Sequence, residues 1–266
     1  VKKMHKANIR VVMEIPTYPY DNEYSSFYGK IILFIDKCFR KTFAKYLYRI
    51  ITFSDYKSIF GTPTIQISNG IDFRKIKLKQ NINDTSHELH LIGVAEIHYW
   101  HGFDRLVQGL VDYYKGNPVY KVFFHIVGNF FGERESNDIV PLISRHHLEP
   151  YIILHGAKHG GDLDLLFEQS DMAIGSLARH RSGITNIKTL KNREYAARGL
   201  SFIYSEQDSD FENKAYILKV PADESPININ KIIDFHKRLK LNPSEIRNSI
   251  LSLSWEAQMD KVLKAI

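Results

Sequence analysis

Cysteine is almost missing from this chain, and long apolar runs are missing altogether. The 266 residues include one cysteine, Cys38, which excludes an internal disulfide and a zinc site built on paired cysteines. A single thiol is typical of a reducing compartment, so we expect a cytoplasmic location. No uninterrupted apolar segment approaches the about 18 residues that a membrane-spanning helix needs, so the sequence predicts no such helix.

The glycine motifs that cradle phosphate groups are missing too. Gly128-Asn129 follows a predicted strand and Gly160-Gly161 precedes a predicted helix, but neither pair belongs to a Gly-x-Gly-x-x-Gly or P-loop pattern. Either pair could let the backbone approach a ligand, and either could equally form an ordinary tight turn. His155 and His159 fall in a predicted loop without a cysteine and with one nearby acid, so we expect no metal site.

Positive charge is in excess. The 36 lysines and arginines outnumber the 30 aspartates and glutamates, which gives a net charge of +6 and a pI of about 9.1. Such a surplus suits a polyanion, a phosphate-bearing substrate or an anionic membrane surface, without choosing among them. Because only the net charge points to nucleic acid, we do not predict a nucleic-acid partner. The apolar fraction of 44% excludes a disordered chain.

Apolar runs of strand length alternate with amphipathic helical stretches, a pattern that is typical of an α/β layered fold with parallel sheets. The predicted segments are a first unit at 1–75, a linker at 76–87, a second unit at 88–242 and, at 243–266, a C-terminal helix returning towards the first unit. Ligands of parallel sheets bind at the carboxyl ends of the strands. The loops predicted there follow Val94, Val127, Leu154 and Ser176.

The richest polar segment is 180–195, which follows a predicted strand and opens a predicted helix. A helix start offers unpaired backbone N–H groups and the positive end of the helix dipole, and both favour an anion. Arg181, Lys188 and Lys191 add positive charges there, and Glu194 lies on the same helix face as Lys191. A carboxylate beside a bound diphosphate could accept hydrogen bonds from a ribose diol. The same residues could also form a solvated helix face whose charges pair with one another.

A basic stripe lies further upstream. Its members recur mostly at intervals of four and are Lys37, Arg40, Lys41, Lys45 and Arg49. A basic stripe with adjacent aromatic residues suits an anionic membrane surface, and an ordinary exposed helix face explains it equally well. We expect the neighbouring Phe39 and Phe43 to face the core.

Five short segments follow one another in an order that is itself informative. They are Ser68-Asn69-Gly70-Ile71-Asp72, Leu91–Leu110 with Trp100-His101-Gly102, Ile126-Val127-Gly128, Phe167–Ile174 and Lys191–Gly199. Together they resemble the retaining GT-B glycosyltransferases of the group 1, or family 4, kind, and in particular the bacterial surface-polysaccharide branch. The resemblance runs from about Ile9 to Ala265 and implies two Rossmann-like α/β units, the second binding a nucleotide-sugar.

The resemblance also implies roles for single residues, with departures from the family pattern. Glu194 takes the place of the glutamate that holds the ribose, whereas the family's other glutamate is replaced by Asn186. The Arg and Lys that grip the diphosphate are replaced by Glu96 and His101, neither of which is a strong phosphate ligand at pH 7. Gly128 matches the end of the family's second strand in the nucleotide-sugar site. We expect the diphosphate to be stabilised instead by Arg181, Lys188 and Lys191.

The resemblance implies a hexosyltransferase that moves a hexose from a nucleotide-diphosphate sugar to a polysaccharide or lipid-linked acceptor, with retention and without a metal or other cofactor. A lipid-linked acceptor would bring the protein to the inner membrane face as a peripheral protein. The first unit is shorter than the family's and the chain begins at Val1, so we expect a fragment of a longer enzyme or a reduced version. The alternatives are a non-catalytic nucleotide-sugar-binding module and a GT-B-type sugar-nucleotide epimerase.

Overall fold

The computed structural model describes residues 1–21, 27–81, 83–184 and 186–266. The chain divides into two compact units, one formed by Val1–Gly70 with Ser252–Ile266 and the other by Ile71–Leu251. Two residues of the predicted segments, Ile82 in the linker and Thr185 in 180–195, lie outside the described residues.

Strands and helices alternate along most of the chain. The strands are β1 (Val12–Ile15), β2 (Arg49–Thr52), β3 (Ser58–Ile59), β4 (Thr62–Gln66), β5 (Glu88–Val94), β6 (Lys121–Val127), β7 (Ile152–Gly156), β8 (Met172–Ile174), β9 (Ser201–Tyr204) and β10 (Ile217–Lys219). The helices are α1 (Lys2–Lys6), α2 (Phe27–Ala44), α3 (Phe103–Tyr114), α4 (Glu133–Arg145), α5 (Gly160–Gln169), α6 (Leu190–Arg198), α7 (Ile229–Arg238), α8 (Pro243–Asn248) and α9 (Trp255–Ala265). Short 3-10 turns lie at Tyr99–His101, Arg179–Ser182 and Leu251–Leu253.

The first unit is built on a four-stranded sheet with the order β1-β2-β4-β3, in which only β3 runs antiparallel to its neighbour. Successive side chains of a strand point to opposite faces, so Ile50 and Ile51 of β2 enter separate apolar clusters. Ile50 packs with Ile15 of β1, whereas Ile51 packs with Val262 of α9. The sheet therefore has apolar contacts on both faces, one of them supplied by the last helix.

Gly70 has a packing reason for its place. A Cβ atom there would lie 2.3 Å from the ring of Trp255, the first residue of α9. Only glycine leaves room for the indole, so the Asn69-Gly70 pair marks the point where α9 packs against the chain.

The second unit contains six parallel strands in the order β10-β9-β8-β5-β6-β7. The chain moves outward from β5 through β6 to β7, and then returns to β8 on the other side of β5 and moves outward the other way. Adjacent strands whose connections leave in opposite directions open a crevice at their carboxyl ends, where ligands of such sheets bind. Here that crevice lies beyond Val94 of β5 and Ile174 of β8.

The main core of the second unit lies on one face of this sheet. Alternate residues of β5 and β6, such as Leu89 and Phe124, are fully buried there. They pack against the apolar faces of α3, α4 and α7, which contribute Leu106, Ile139 and Ile232 to the same cluster. This packing fixes the strands whose carboxyl ends form the crevice.

The α/β class with parallel sheets, predicted from the sequence, is confirmed. The boundaries differ in places: the division falls at Gly70, and the predicted linker belongs to the second unit. The predicted tail helix is split, since α8 lies in the second unit and α9 in the first. The short strands β3 and β10 were not predicted.

The basic stripe is not continuous on one helix. The α2 helix ends at Ala44, whose carbonyl accepts a hydrogen bond from the Thr62 hydroxyl at 2.7 Å. Lys45 therefore follows the helix, and Arg49 is the first residue of β2. The expectation that Phe39 and Phe43 face the core is also wrong, because their side chains are 66% and 41% exposed.

Candidate functional site

The loops after β5 and β8 are joined at the crevice. The carbonyls of Trp100 and His101 accept backbone hydrogen bonds from Ala178 and Leu177, at 3.3 and 2.8 Å. The guanidinium of Arg179 lies over the ring of Trp100, 5.3 Å from its centroid. The two loops thus form one surface at the carboxyl ends of neighbouring strands.

Four titratable side chains interact electrostatically at this edge. They are His101 from the β5 loop, Arg179 from the β8 loop, Lys191 from the first turn of α6 and Glu206 from the loop after β9. We call them the edge cluster. Together they bring a loop from each of three strands and one helix start to one place.

Burial shifts every pKa in the edge cluster towards the neutral form. Desolvation lowers the pKa of Lys191 to about 7, with a further lowering by Arg179 and an opposing effect of Glu206. Desolvation raises the pKa of Glu206 to about 7, opposed by the two cations. Burial, then the positive charges of Lys191 and Arg179, lower the pKa of His101 to about 2. His101 is therefore neutral and supplies no charge for an anion.

Buried polar atoms without a hydrogen-bond partner are concentrated in this region. Among the described residues, all of them except those of Ser201 and His236 belong to the ends of β8 and β9, the following loops and the start of α6. The residues in that region are Ser176, Arg179, His180, Thr189, Lys191, Asn192, Arg193, Tyr204 and Glu206. Buried polar groups are nearly always paired in folded proteins, so such a concentration marks a place where a ligand can supply the partners.

The start of α6 is held in place by a second set of charges. The guanidinium of Arg193 donates to the two carboxylate oxygens of Asp208 at 2.8 and 3.1 Å, and it also pairs with Asp210. The Arg193 and Asp208 side chains are completely buried. This pairing attaches the first turn of α6 to the loop after β9 and so fixes Lys191 beside Glu206.

Arg181 lies in different surroundings from Lys191. Its guanidinium donates to Asp104 at 2.9 and 2.8 Å and to Glu224 at 3.0 and 3.1 Å. These bonds hold the pKa of Glu224 at about 2, well below its usual range. Lys188 is half-buried in the loop that precedes α6. Within this predicted set, Lys191 is the member placed in the edge cluster, and Arg181 already has two carboxylate partners.

Glu194 is also paired. Its carboxylate accepts from Arg198, four residues on, at 3.0 Å, and Arg198 donates to Asp164 of α5 at 2.7 Å. Glu194, the predicted ribose ligand, therefore has a competing partner within its own helix.

Asn186 is exposed and forms a parallel bridge with Gln207.

The other predicted site residues lie around the β5 loop. The Glu96 side chain is 70% exposed and lies 3.5 Å from Nε2 of His98. Gly128 has a positive φ of 126°, and a Cβ there would lie 1.7 Å from the carbonyl oxygen of Ala95. Gly128 thus lets the end of β6 pack against the loop after β5, which is a structural reason for the glycine.

Sequence reasoning missed Arg179 and Glu206. Both lie just beyond the carboxyl ends of strands, β8 and β9, where a ligand was expected, and that position was the available signal. It also missed a row of three histidine rings on one face of β5, β6 and β7. His90, His125 and His155 are joined through ring nitrogens at 2.9 Å each, and His90 also contacts Glu88 at 3.3 Å.

The described residues contain neither a cluster of metal-ligating side chains nor a membrane-spanning helix. In residues 1–21, 27–81, 83–184 and 186–266, no group of three His, Cys, Asp or Glu side chains is arranged to hold a metal ion. Across the same part of the chain, every helix is too short or too polar to span a bilayer.

Several solved glycosyltransferases are similar to this chain in structure. A glycosyltransferase from Rickettsia africae aligns with a TM-score of 0.62 and 13% identity over 99% of this chain and 77% of its own. Alr3699/HepE of Anabaena, solved with UDP-glucose, aligns with a TM-score of 0.66 and 14% identity over 98% and 73%. The sucrose-phosphate synthase of Thermosynechococcus elongatus aligns with a TM-score of 0.66 and 13% identity over 96% and 67%.

These similarities show the fold, which is that of the GT-B glycosyltransferases. No family model and no curated protein matches the sequence. An identity of 13–14% shows a shared architecture, and it does not show that the residues of the site are shared.

Proposed function

We propose that this chain is a glycosyltransferase that moves a hexose from a nucleotide-diphosphate sugar to a polysaccharide or lipid-linked acceptor. The observation that carries the proposal is the edge cluster: a half-buried lysine and a half-buried arginine, each with a buried nitrogen that lacks a hydrogen-bond partner, at the switch point of a GT-B sheet. The solved complex of Alr3699/HepE with UDP-glucose makes this donor class the natural one to test.

The proposed chemistry is electrostatic. The bond from the anomeric carbon to the β-phosphate oxygen breaks, the acceptor oxygen bonds to that carbon with retention, and the acceptor proton leaves with the diphosphate. In this proposal Lys191 and Arg179 stabilise the charge on the departing diphosphate, and their desolvation strengthens that electrostatic effect. Cations can perform this role without a metal ion. Lys188 and Arg181 extend the positive field, the latter while paired with Asp104 and Glu224.

A binding module without turnover is the second candidate. It is favoured by Glu194, whose carboxylate is occupied by Arg198, and by the neutral His101 in place of a cation. In the first candidate Glu194 exchanges Arg198 for the ribose hydroxyls of the donor, and in the second that exchange does not lead to transfer.

Calorimetry followed by product analysis tests the proposal. UDP, GDP and ADP are titrated into the protein at millimolar concentration, and the matching nucleotide-glucose or nucleotide-mannose is then incubated with it, with and without EDTA. We expect one nucleotide to bind and its sugar to be released or transferred in both conditions. Binding without turnover supports the module, an altered sugar supports the epimerase, and no binding contradicts all three. Loss of turnover in EDTA that one metal restores contradicts the metal-independent mechanism.

Docking to an anionic membrane is the second part of the proposal. The α2 helix exposes large apolar side chains beside lysines, and these are Phe27, Tyr28, Ile31, Ile32, Phe34, Ile35, Phe39 and Phe43. Such side chains can enter the interface between lipid headgroups and acyl chains, while Lys41 and Lys45 attract anionic lipid. Lys37 and Arg40 contribute less, because Asp21 pairs with both at 3.2 and 2.6 Å.

Co-sedimentation with vesicles tests the docking. We expect binding to vesicles with anionic lipid and much weaker binding to neutral ones. Binding should fall as salt rises from 0.1 to 1 M, since the Debye length shortens from about 10 Å to about 3 Å. Equal binding to both vesicle types, or none to anionic vesicles at low salt, would contradict it.

A further inference from the structure

Glu206 is the acid of the edge cluster. It follows β9 by two residues and is 2% exposed, and neither carboxylate oxygen has a hydrogen-bond partner in another described residue. A buried carboxylate is costly unless hydrogen bonds replace its lost water. Apart from an interaction with its own backbone amide, the Glu206 carboxylate therefore has acceptor positions that no other described residue uses.

The cations beside Glu206 do not satisfy it. Lys191 and Arg179 are close enough to interact with it electrostatically, yet Lys191 Nζ and Arg179 Nε lack hydrogen-bond partners as well. A structural ion pair at this place would be closed, as the adjacent bidentate pair of Arg193 and Asp208 is. Donors and acceptors instead remain available side by side.

This combination fits one class of ligand. An unpaired carboxylate beside unpaired cations suits a molecule that carries hydroxyl groups next to an anionic group. The hydroxyls can donate to the carboxylate while the cations take the anion. A sugar joined to a phosphate has this chemistry, whereas a bare phosphate would leave the carboxylate unpaired.

The geometry points to Glu206 as the residue that binds the transferred sugar, its carboxylate accepting hydrogen bonds from hydroxyls of the hexose while Lys191 and Arg179 face the diphosphate. This inference rests on the proposed function. It makes Glu206 a determinant of which sugar is bound, and leaves the nucleotide to other residues.

The test compares a nucleotide with its sugar conjugate. Three pairs of ligands are titrated into each protein: UDP and UDP-glucose, GDP and GDP-mannose, and ADP and ADP-glucose. The proteins are wild type, Glu206→Gln and the control Glu149→Gln, which makes the same change at an exposed position. We expect Glu206→Gln to weaken the nucleotide-sugar by about ten- to hundredfold, the effect of a hydrogen bond to a charged group, and the free nucleotide by less than about threefold. The control should match wild type.

The outcomes separate the two proposals. If wild type binds no nucleotide, the proposed function and the sugar subsite both fail. If wild type binds but Glu206→Gln weakens nucleotide and nucleotide-sugar equally, or neither, only the subsite fails.

A second measurement uses the unmodified protein, in case Glu206→Gln does not fold. Deoxy analogues of the bound nucleotide-sugar, each lacking one hexose hydroxyl, are titrated into wild type. We expect one or two analogues to bind about tenfold more weakly, because the carboxylate then loses a donor. Equal affinity for every analogue would overturn the inference. In a folded Glu206→Gln protein, the differences between analogues should disappear.

Discussion

Two acid–base pairs lie side by side in the second unit, and they differ in one respect. Arg193 and Asp208 are buried and joined by two hydrogen bonds, whereas the buried Nζ of Lys191 and the buried carboxylate of Glu206 are joined by none. Both pairs link the first turn of α6 to the loop after β9. The fold alone explains the first pair, since each charge is compensated. The second pair has the electrostatic attraction but lacks the hydrogen bonds that would compensate its burial.

Removing the cation of the paired set should have the largest effect. Arg193→Leu leaves the buried Asp208 without a cation and with only two long hydrogen bonds, from Asn192 Nδ2 at 3.4 Å and the Asp210 amide at 3.3 Å, so the free energy of unfolding should fall by about 3–5 kcal/mol in urea titrations. Lys191→Met, two residues earlier, removes a cation that has no hydrogen bond to lose, and we expect a change within about 1 kcal/mol. Equal losses in the two variants would contradict the distinction between the pairs.

When nucleotide affinity is measured instead of stability, we expect Lys191→Met to have a larger effect than Glu194→Ala. Lys191→Met removes a desolvated cation, so binding of the nucleoside diphosphate should weaken by about 1.5–3 kcal/mol. Glu194→Ala should weaken it by about 1 kcal/mol, because that carboxylate must first leave Arg198. Calorimetry at one salt concentration measures both. A larger loss for Glu194→Ala would assign the main contact to the ribose side.

The row of His90, His125 and His155 predicts how the stability of the second unit changes at acidic pH. Burial and the neighbouring His90 and His155 lower the pKa of His125 to about 4, below its ordinary value of 6.5. The unfolded chain therefore takes up a proton first, and the free energy of unfolding should fall as the pH drops from about 6.5 towards 4, and then level off. The shift in Glu206 acts in the opposite direction over part of this range.

A variant isolates the contribution of the row. The difference in unfolding free energy between wild type and His125→Phe should shrink by about 1–2 kcal/mol between pH 7 and pH 4.5, in urea titrations. A difference that does not change with pH would mean that His125 titrates alike in the folded and unfolded chain.

The smallest effect concerns the first unit. Lys41 is exposed and has no ion-pair partner among the described residues, whereas Lys37 pairs with Asp21. Lys41→Ala should weaken binding to anionic vesicles by about 1 kcal/mol, and Lys37→Ala, as the matched control on the same helix, by less. Equal effects would show that the pairing with Asp21 does not persist at the membrane.

Much of the fold could be predicted because strand and helix periodicities are local. The strand ends predicted at Val94 and Val127 coincide with the ends of β5 and β6. The short strand β10 was missed because three residues carry too little periodicity. The exposure of Phe39 was missed because a helical pattern does not say which face has a partner.

The site was harder to predict because charges are paired across long sequence separations. The guanidinium of Arg181 donates to Asp104 and Glu224, which lie 77 and 43 residues away in sequence. The local sequence 180–195 does not show these two carboxylate partners. Burial of Glu206 likewise depends on the packing of three loops. Lys191 could be named as a candidate because its helix start is visible in the sequence, whereas Arg179 and Glu206 become candidates only once their neighbours in the fold are known.

The placement of α9 has a consequence for biosynthesis. The first unit needs Val262 of α9 on its sheet and Trp255 against Gly70, although the whole second unit separates these residues from β4 along the chain. A ribosome therefore releases a complete and contiguous second unit before the first can close. Until α9 is made, the face of the first sheet that carries Ile51 and Ile65 lacks its contact with Val262, and transiently exposed apolar surface of this kind favours aggregation during folding.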